Sequence, residues 1–420
     1  MSWASTAVEH ESAPRTEFFP EFRTAEAAES IGSNHWMKRT WAFASASVWN
    51  LWCLASLIVL LAIVTAIPLL QLTVLGYLLL VAGRLTRGMT IRQSVPGLGA
   101  AGQMGIVFGS LGLASLPIRL FVHWESVAAI IEPDSARASI LWSVSIAFSI
   151  AATVYLWWAW ARGGRVRHFL WPEPIRFLRE SWRPSTWSDI SDRLWRFLVS
   201  LKLPMLFWLG VRGAVGTLIW LFPAMVIMNV TREGAAAAAG LLGAIAFLAL
   251  GYVMLTLPML QAHFAAENQF RAMFHWRRVR QDLRYAPWSY AAAMLVALVL
   301  LPIPLYLLKI EATPQEIAWL PCLVFVAFML PAHIATGLAM RRCRRLHAIA
   351  DASADDAPIP GNFRRRWNAF SRFAVRFLVA PAIVIVYLVV LLASQYTSWD
   401  GVDTWIRQHA LLVPVPFVGI

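Results

Sequence analysis

Apolar residues gather into runs near 46–68, 102–122, 138–161, 204–229, 236–260, 288–308, 317–339 and 373–394. Each run is long enough to cross ~30 Å of hydrocarbon as a helix, which takes about 20 residues. The pattern predicts an all-α protein, a polytopic transmembrane helical bundle with about eight spans. One further apolar stretch, 69–82, is too short for an upright crossing. Lys38 and Arg39 precede the first span, and Arg84, Arg87 and Arg92 follow the short stretch. With basic residues on both flanks, 69–83 is predicted to form a re-entrant or hairpin segment. Pro68 would mark the turn, because proline cannot donate the hydrogen bond that continues a helix.

Two polar connections carry apolar residues at helical spacing. In 186–202, Ile190, Leu194, Leu198 and Leu201 form a stripe with Arg193 and Arg196 off it, and Ser188 is a candidate cap. In 262–285, Phe264, Phe270, Met273, Phe274 and Trp276 are mixed with arginines. Both read as amphipathic helices lying in the membrane interface. The domain reading is a polar tail over 1–40, a helical membrane domain over 41–395 and a second tail over 396–420. Residues 351–362, small and acidic with Pro and Gly, read as a flexible loop.

The distribution of charge gives the threading. Lys and Arg crowd into alternate connections: 84–92, 162–203, 262–287 and 340–372. The intervening connections hold more acid than base, as with Glu125, Glu132 and Asp134 against Arg137. By that division about 29 of the 36 basic residues fall on one side. The bias predicts a bacterial inner-membrane protein with its N-terminus in the cytoplasm and its C-terminus outside. Residues 1–40 contain no apolar core of a signal peptide, so the first span should act as the insertion signal.

Composition sharpens this picture. Charged residues make up 14% of the chain and apolar residues 59%. Many of the 22 tryptophans stand near the ends of apolar runs, where indole prefers the headgroup layer. A net charge of +13 would otherwise suggest nucleic acid. In a membrane protein it is better explained by attraction to anionic lipids at the cytoplasmic face, so nucleic acid is not an expected partner. The three cysteines show no metal-site or disulfide spacing, and no cofactor is implied. Cys343, set within Arg341, Arg342, Arg344 and Arg345, is expected to have its thiolate favoured by those neighbours.

Ionisable groups inside spans are the first candidates for function, because burying them in hydrocarbon is costly. Arg212, with Gly210, Gly213 and Gly216 beside it, is a candidate for binding an anion or lipid or for lining a pathway. His333 is a candidate proton site, since imidazole titrates near neutral pH. Arg119 and Arg376, nearer span ends, are expected to snorkel. For a protein or lipid partner, the candidate surface comprises Glu267, Phe270, Arg271, Phe274, Arg277 and Arg278. No P-loop and no HExxH occurs, and Ser110 lacks the glycine two residues before it that a membrane serine protease would need. The expected function is therefore a non-enzymatic membrane component that organises lipid or a membrane-protein partner. A transporter using Arg212 and His333 is the second reading, and a lipid-modifying enzyme using Glu132 or Asp134 the third.

Two patches carry a family likeness. Ala265, Ala266, Glu267, Asn268, Gln269 and Phe270 lead into Trp276, Arg277, Arg278, Val279 and Arg280, an acidic residue and a Phe followed by a basic helix. Pro68, Leu69, Leu70 and Gln71 lead through Gly76 and Tyr77 to Gly83 and Arg84. Both resemble uncharacterised bacterial multi-pass membrane proteins of unknown function. That resemblance implies a membrane protein and carries no activity, substrate or catalytic residue.

Overall fold

The computed structural model describes residues 35–131 except 68, and 136–300 except 165–167, 170, 172, 181 and 233–236, together with 319–352 and 362–397. Every element of more than one turn among them is helical. The expected turn at Pro68 and the carboxylates Glu132 and Asp134 lie outside the described residues. So do most of the loop 351–362 and the tails, although the expected N-terminal tail overlaps a helix that starts at His35.

In chain order the helices begin with α1 (His35–Thr65), α2 (Gln71–Thr86), α3 (Ile91–Ser94), α4 (Leu98–Ile131) and α5 (Ala136–Ala161). Next come α6 (Pro174–Glu180), α7 (Pro184–Ser200), α8 (Leu203–Arg232), α9 (Ala237–Met254) and α10 (Leu257–Glu267). A 3-10 turn, Phe270–Phe274, leads to α11 (Trp276–Leu283) and α12 (Pro287–Met294), which runs on as a π-helix through Leu295–Leu300. The last are α13 (Trp319–Ala352), α14 (Asn362–Ala374), a π-helical turn Val375–Val379, and α15 (Ala380–Thr397). The chain divides into two compact units, Met1–Val48 and Trp49–Ile420, and all packing described below lies within the second.

Six helical stretches are long and apolar enough to cross a membrane, on α1, α4, α5, α8 and α13 and over Arg366–Val389. Counting each of two bent pairs as one span gives up to eight: Leu241–Met254 with Leu257–Glu267, at 42°, and Trp276–Leu283 with Pro287–Leu300, at 113°. Pro117, Pro223 and Pro331 each lie within one continuous helix, so the bends do not fall at them. They fall where Pro258 and Pro287 open α10 and α12. Proline suits that position, because the first N–H groups of a helix have no intrahelical partner in any case. Breaking a helix in lipid frees carbonyls that must find donors. The break between α9 and α10 meets this need with Tyr290, whose hydroxyl donates to the Leu255 carbonyl at 2.7 Å.

The short apolar stretch proves to be the centre of the molecule. At 16 residues, α2 is about 24 Å long, too short for an upright crossing. It is instead enclosed by protein, with Thr73 through Gly83 buried without interruption against α8, α10 and α13. Glycines allow this closeness. A Cβ added to Gly76 would lie 1.8 Å from the Leu206 carbonyl oxygen, and one on Gly210 would lie 1.8 Å from the Leu72 carbonyl oxygen. The pairing of 76 with 206 and 72 with 210 means that α2 and α8 run in opposite directions with their backbones touching. Gly83 meets Ala265 of α10 and Gly337 of α13 meets Ala82 in the same manner.

The outer helices are arranged differently. The most apolar stretches of α4 and α5 are 0% and 6% buried, so their apolar faces are left for lipid to cover. Between α1 and α4, Gly105 sits against Ser56 and Gly102 against Cys53, and the Trp52 indole donates to the Gly102 carbonyl at 3.0 Å. In α7 the helix opens at Pro184, four residues before Ser188. Ser188 is therefore inside the helix and donates to the Ser185 carbonyl instead of capping. All three cysteines are buried. Cys343 faces the core with its Sγ 3.9 Å from the Ala286 carbonyl oxygen, so adjacency to arginines in sequence does not put its sulfur among them.

The backbone contact yields a direct test. Gly76→Ala and Gly210→Ala should each lower stability in detergent by about 1–3 kcal/mol, the usual cost of overpacking. Gly99→Ala, where an added Cβ meets open space, should leave the thermal midpoint unchanged. Equal midpoints for all three variants would mean that α2 and α8 do not touch.

Candidate functional site

Arg212 and His333 occupy separate surroundings. Arg212 of α8 reaches the end of α10, where its Nη1 donates to the Asn268 carbonyl at 3.1 Å and its Nη2 to Asn268 Oδ1 at 2.7 Å. Asn268 closes α10 with a left-handed backbone, φ 53°, which asparagine tolerates better than most residues. The guanidinium also lies 5.9 Å from the Phe264 ring. Arg212 thus ties α8 to α10, with only its buried Nε lacking a partner among the described residues. His333 of α13 donates from Nδ1 to the Met329 carbonyl at 2.9 Å. It lines a cavity of about 70 Å³ beside Gln261 and Thr336. Gln261 in turn donates to Thr217 at 2.8 Å. That volume suits a few water molecules, and Arg212 is not part of its lining.

The candidate surface on 262–285 separates into three pieces. The 262–266 segment is buried, including His263 and Phe264 at 0% exposure, because this part of α10 packs under α2. Glu267 accepts from Arg344 Nη2 at 2.9 Å, and the same nitrogen contacts His263 Nδ1. Phe270 packs edge-on to Phe274, which stacks on Trp220, whose indole donates to the Met273 carbonyl. Arg271 and Arg278 are exposed, while Arg277 stands over the Trp276 ring at 5.8 Å.

A second polar contact joins α11 to α13. His347 Nδ1 donates to Asp282 Oδ1 at 2.5 Å, its Nε2 lies 3.5 Å from Asp351 Oδ2, and its ring stacks on Tyr285 with centroids 4.4 Å apart. Asp282 is almost wholly buried and Asp351 largely exposed. In sequence this cluster passes for a topogenic basic patch. The available signal was the spacing of Arg344, His347 and Asp351, which sets all three on one helical face.

A wider opening lies between α11–α12 and the junction of α14 with α15, a groove of about 840 Å³. One wall presents Arg277, Arg280 and Arg284, and the other Arg372 and Arg376. Arg280 is fixed in place: its Nη1 donates to the Tyr252 hydroxyl at 2.6 Å, and its guanidinium stands 4.8 Å from the Tyr252 ring and 5.3 Å from Trp276. Among the described residues, no carboxylate lines this groove or pairs with any of the five arginines. Of the residues singled out in sequence for lipid or partner binding, only Arg277 contributes to it. The others were recognisable only by spacing, 277, 280 and 284 on one helical face and 372 with 376 on another. A groove of this kind can hold an anion. Among the described residues, no group of three or more His, Cys, Asp or Glu is placed to hold a metal ion.

Six long apolar helices, two bent pairs and lipid-facing outer surfaces define a multi-pass helical membrane protein. Within it, residues 200–310 match the model of a family described as a protein of unknown function (DUF4013). The match takes in α8 through α12, including Arg212, the patch from Ala265 to Arg280 and one wall of the groove. No curated protein and no solved structure matches the chain.

Burial separates the two carboxylates that flank His347. Asp282→Ala should lower the thermal midpoint in detergent by several degrees, because it leaves a buried polar partner unpaired. Asp351→Ala, at the exposed partner, should change it little. Indistinguishable midpoints would mean that the Asp282 contact does not hold α11 to α13.

Proposed function

We propose that this protein is a non-enzymatic component of a bacterial inner membrane that gathers anionic lipid at its cytoplasmic face and organises its surroundings there. The observation that carries this reading is the groove with five arginines and no carboxylate. An excess of positive charge in a cleft raises the local concentration of anions, and the surface of the cytoplasmic leaflet supplies them. The placing of the basic connections on one common side has support of its own. Three connections assigned to the cytoplasm by their charge are bonded to one another: Arg341 to the Met89 carbonyl, Arg344 to Glu267, and His347 to Asp282.

A transport role has one observation in its favour, the small cavity in which His333, Gln261 and Thr336 are the polar members of a mostly apolar lining. On that reading Arg212 would be needed for solute movement. On the reading preferred here it is a structural tie, and a protein partner would be held by the exposed Arg271, Phe274 and Arg278.

Native mass spectrometry of the protein released with its own lipid tests the choice. Retention of an anionic phospholipid is expected, and Arg212→Leu should retain it to the same extent. Recovery of bare protein, or of zwitterionic lipid alone, would sink the proposal. A solute flux in proteoliposomes that Arg212→Leu abolishes would replace it with the transport reading.

A further inference from the structure

The groove has two properties that together narrow its ligand: charge of one sign on both walls, and an aromatic stripe running out from one of them. A headgroup with a single negative charge is satisfied by one or two guanidiniums. Five of them lining one opening, with no carboxylate among the lining residues, leave positive charge that a more highly charged anion offsets better. All five cations are arginine, whose planar fork matches phosphate oxygens two at a time, where lysine offers a point charge. Arg280 is already held by Tyr252 and Trp276, so little conformational freedom is lost when it takes up an anion.

The stripe says where the ligand comes from. Phe363, Trp367, Phe370 and Phe373 recur at helical spacing along α14 and are each more than half exposed. Phe377 and Leu378 continue the stripe on the π-helical turn, also more than half exposed, directly beside Arg376. Phe377 itself lines the groove. A face of this kind, on the same helical segment as Arg372 and Arg376, lies in the headgroup and acyl boundary of a bilayer. A ligand that fills both parts has its charge in the groove and its hydrocarbon along the stripe.

We infer that the groove binds the headgroup of a lipid carrying a doubly charged phosphate, a phosphomonoester or diphosphate, with Arg280, Arg284, Arg372 and Arg376 around its oxygens. The inference rests on the lipid-gathering reading above and adds the class of headgroup. Phosphodiester lipids with one charge occupy the same place more weakly, and soluble phosphates lack the hydrocarbon that the stripe covers.

The test uses the full-length protein in detergent, with binding of dioctanoyl phosphatidic acid, dioctanoyl phosphatidylglycerol and inorganic pyrophosphate followed by microscale thermophoresis. Phosphatidic acid is expected to bind at least about tenfold more tightly than phosphatidylglycerol. Arg284→Gln combined with Arg376→Gln should weaken it by at least about tenfold, an amount two lost phosphate contacts would give. Arg179→Gln on α6, away from the groove, should change nothing. Among the described residues the Arg284 guanidinium has no hydrogen bond or ion pair, its backbone N–H alone being bonded, to Gln281, so the single variant Arg284→Gln, expected to weaken binding several-fold, keeps the test valid if the double variant fails to fold. Equal affinity for the two lipids would overturn the headgroup class and leave the lipid-gathering reading standing. Binding of neither lipid would overturn both. Pyrophosphate binding as tightly as phosphatidic acid would overturn the lipid source, and wild-type affinity in the folded variants would overturn the site.

Discussion

The contact between α2 and α8 is made by backbone, and the rest of the second unit is assembled around it. Gly76 and Gly210 leave no side chain between the two helices, so carbonyl groups of one lie against the Cα atoms of the other. In lipid there is little hydrophobic drive to bring two apolar helices together, and close van der Waals contact of this sort takes its place. Once α2 is held there, its remaining faces are open to α10 and α13, which close on it through Gly83 and Gly337. A helix too short to reach both sides of a membrane is thereby freed from doing so, because protein and not lipid surrounds its middle turns, Thr73 to Gly83.

The spans were legible because length and apolarity are local properties of the chain. The bends were less so. Proline alone does not mark them: Pro117, Pro223 and Pro331 each lie within one helix, while Pro258 and Pro287 stand at the start of a new one after each break. The segment 262–285 looked like one amphipathic stretch because its aromatic and basic residues average out over its length. In three dimensions the turn at Asn268 separates a buried end of α10 from an exposed basic helix. Cys343 illustrates the same limit: four flanking arginines determine its sequence environment, but the direction of its side chain determines its physical one. The groove was beyond reach, since its walls come from residues near 280 and near 375 that no local pattern connects.

The polar and charged residues of α10, α11, α13 and α14 fall into two populations that do different things. Glu267 with Arg344 and Asp282 with His347 are matched pairs that tie helix to helix across the second unit. Arg280, Arg284 and Arg372 have no such counter-charge among the described residues. On α11 the two populations share eight residues. Val279 and Asp282 are buried toward the protein, while Arg277 and Arg280 border the groove. The short helix therefore serves as a partition, hydrogen-bonded to the protein through Asp282 on one side and left electropositive on the other. The 113° turn into α12 is what sets it across the end of the spans in place of extending one of them.

The burial of all three cysteines has a practical consequence for mapping this protein in its membrane. Cys53, Cys322 and Cys343 are each 2% exposed or less, so a membrane-impermeant maleimide added to intact cells or inverted vesicles should find no native target among them. A single cysteine introduced at an exposed position would then be the one reactive sulfur in the chain, with no need to strip out the natural ones and disturb the core they fill. The protein is, in effect, supplied with a silent background for determining which of its connections faces which compartment.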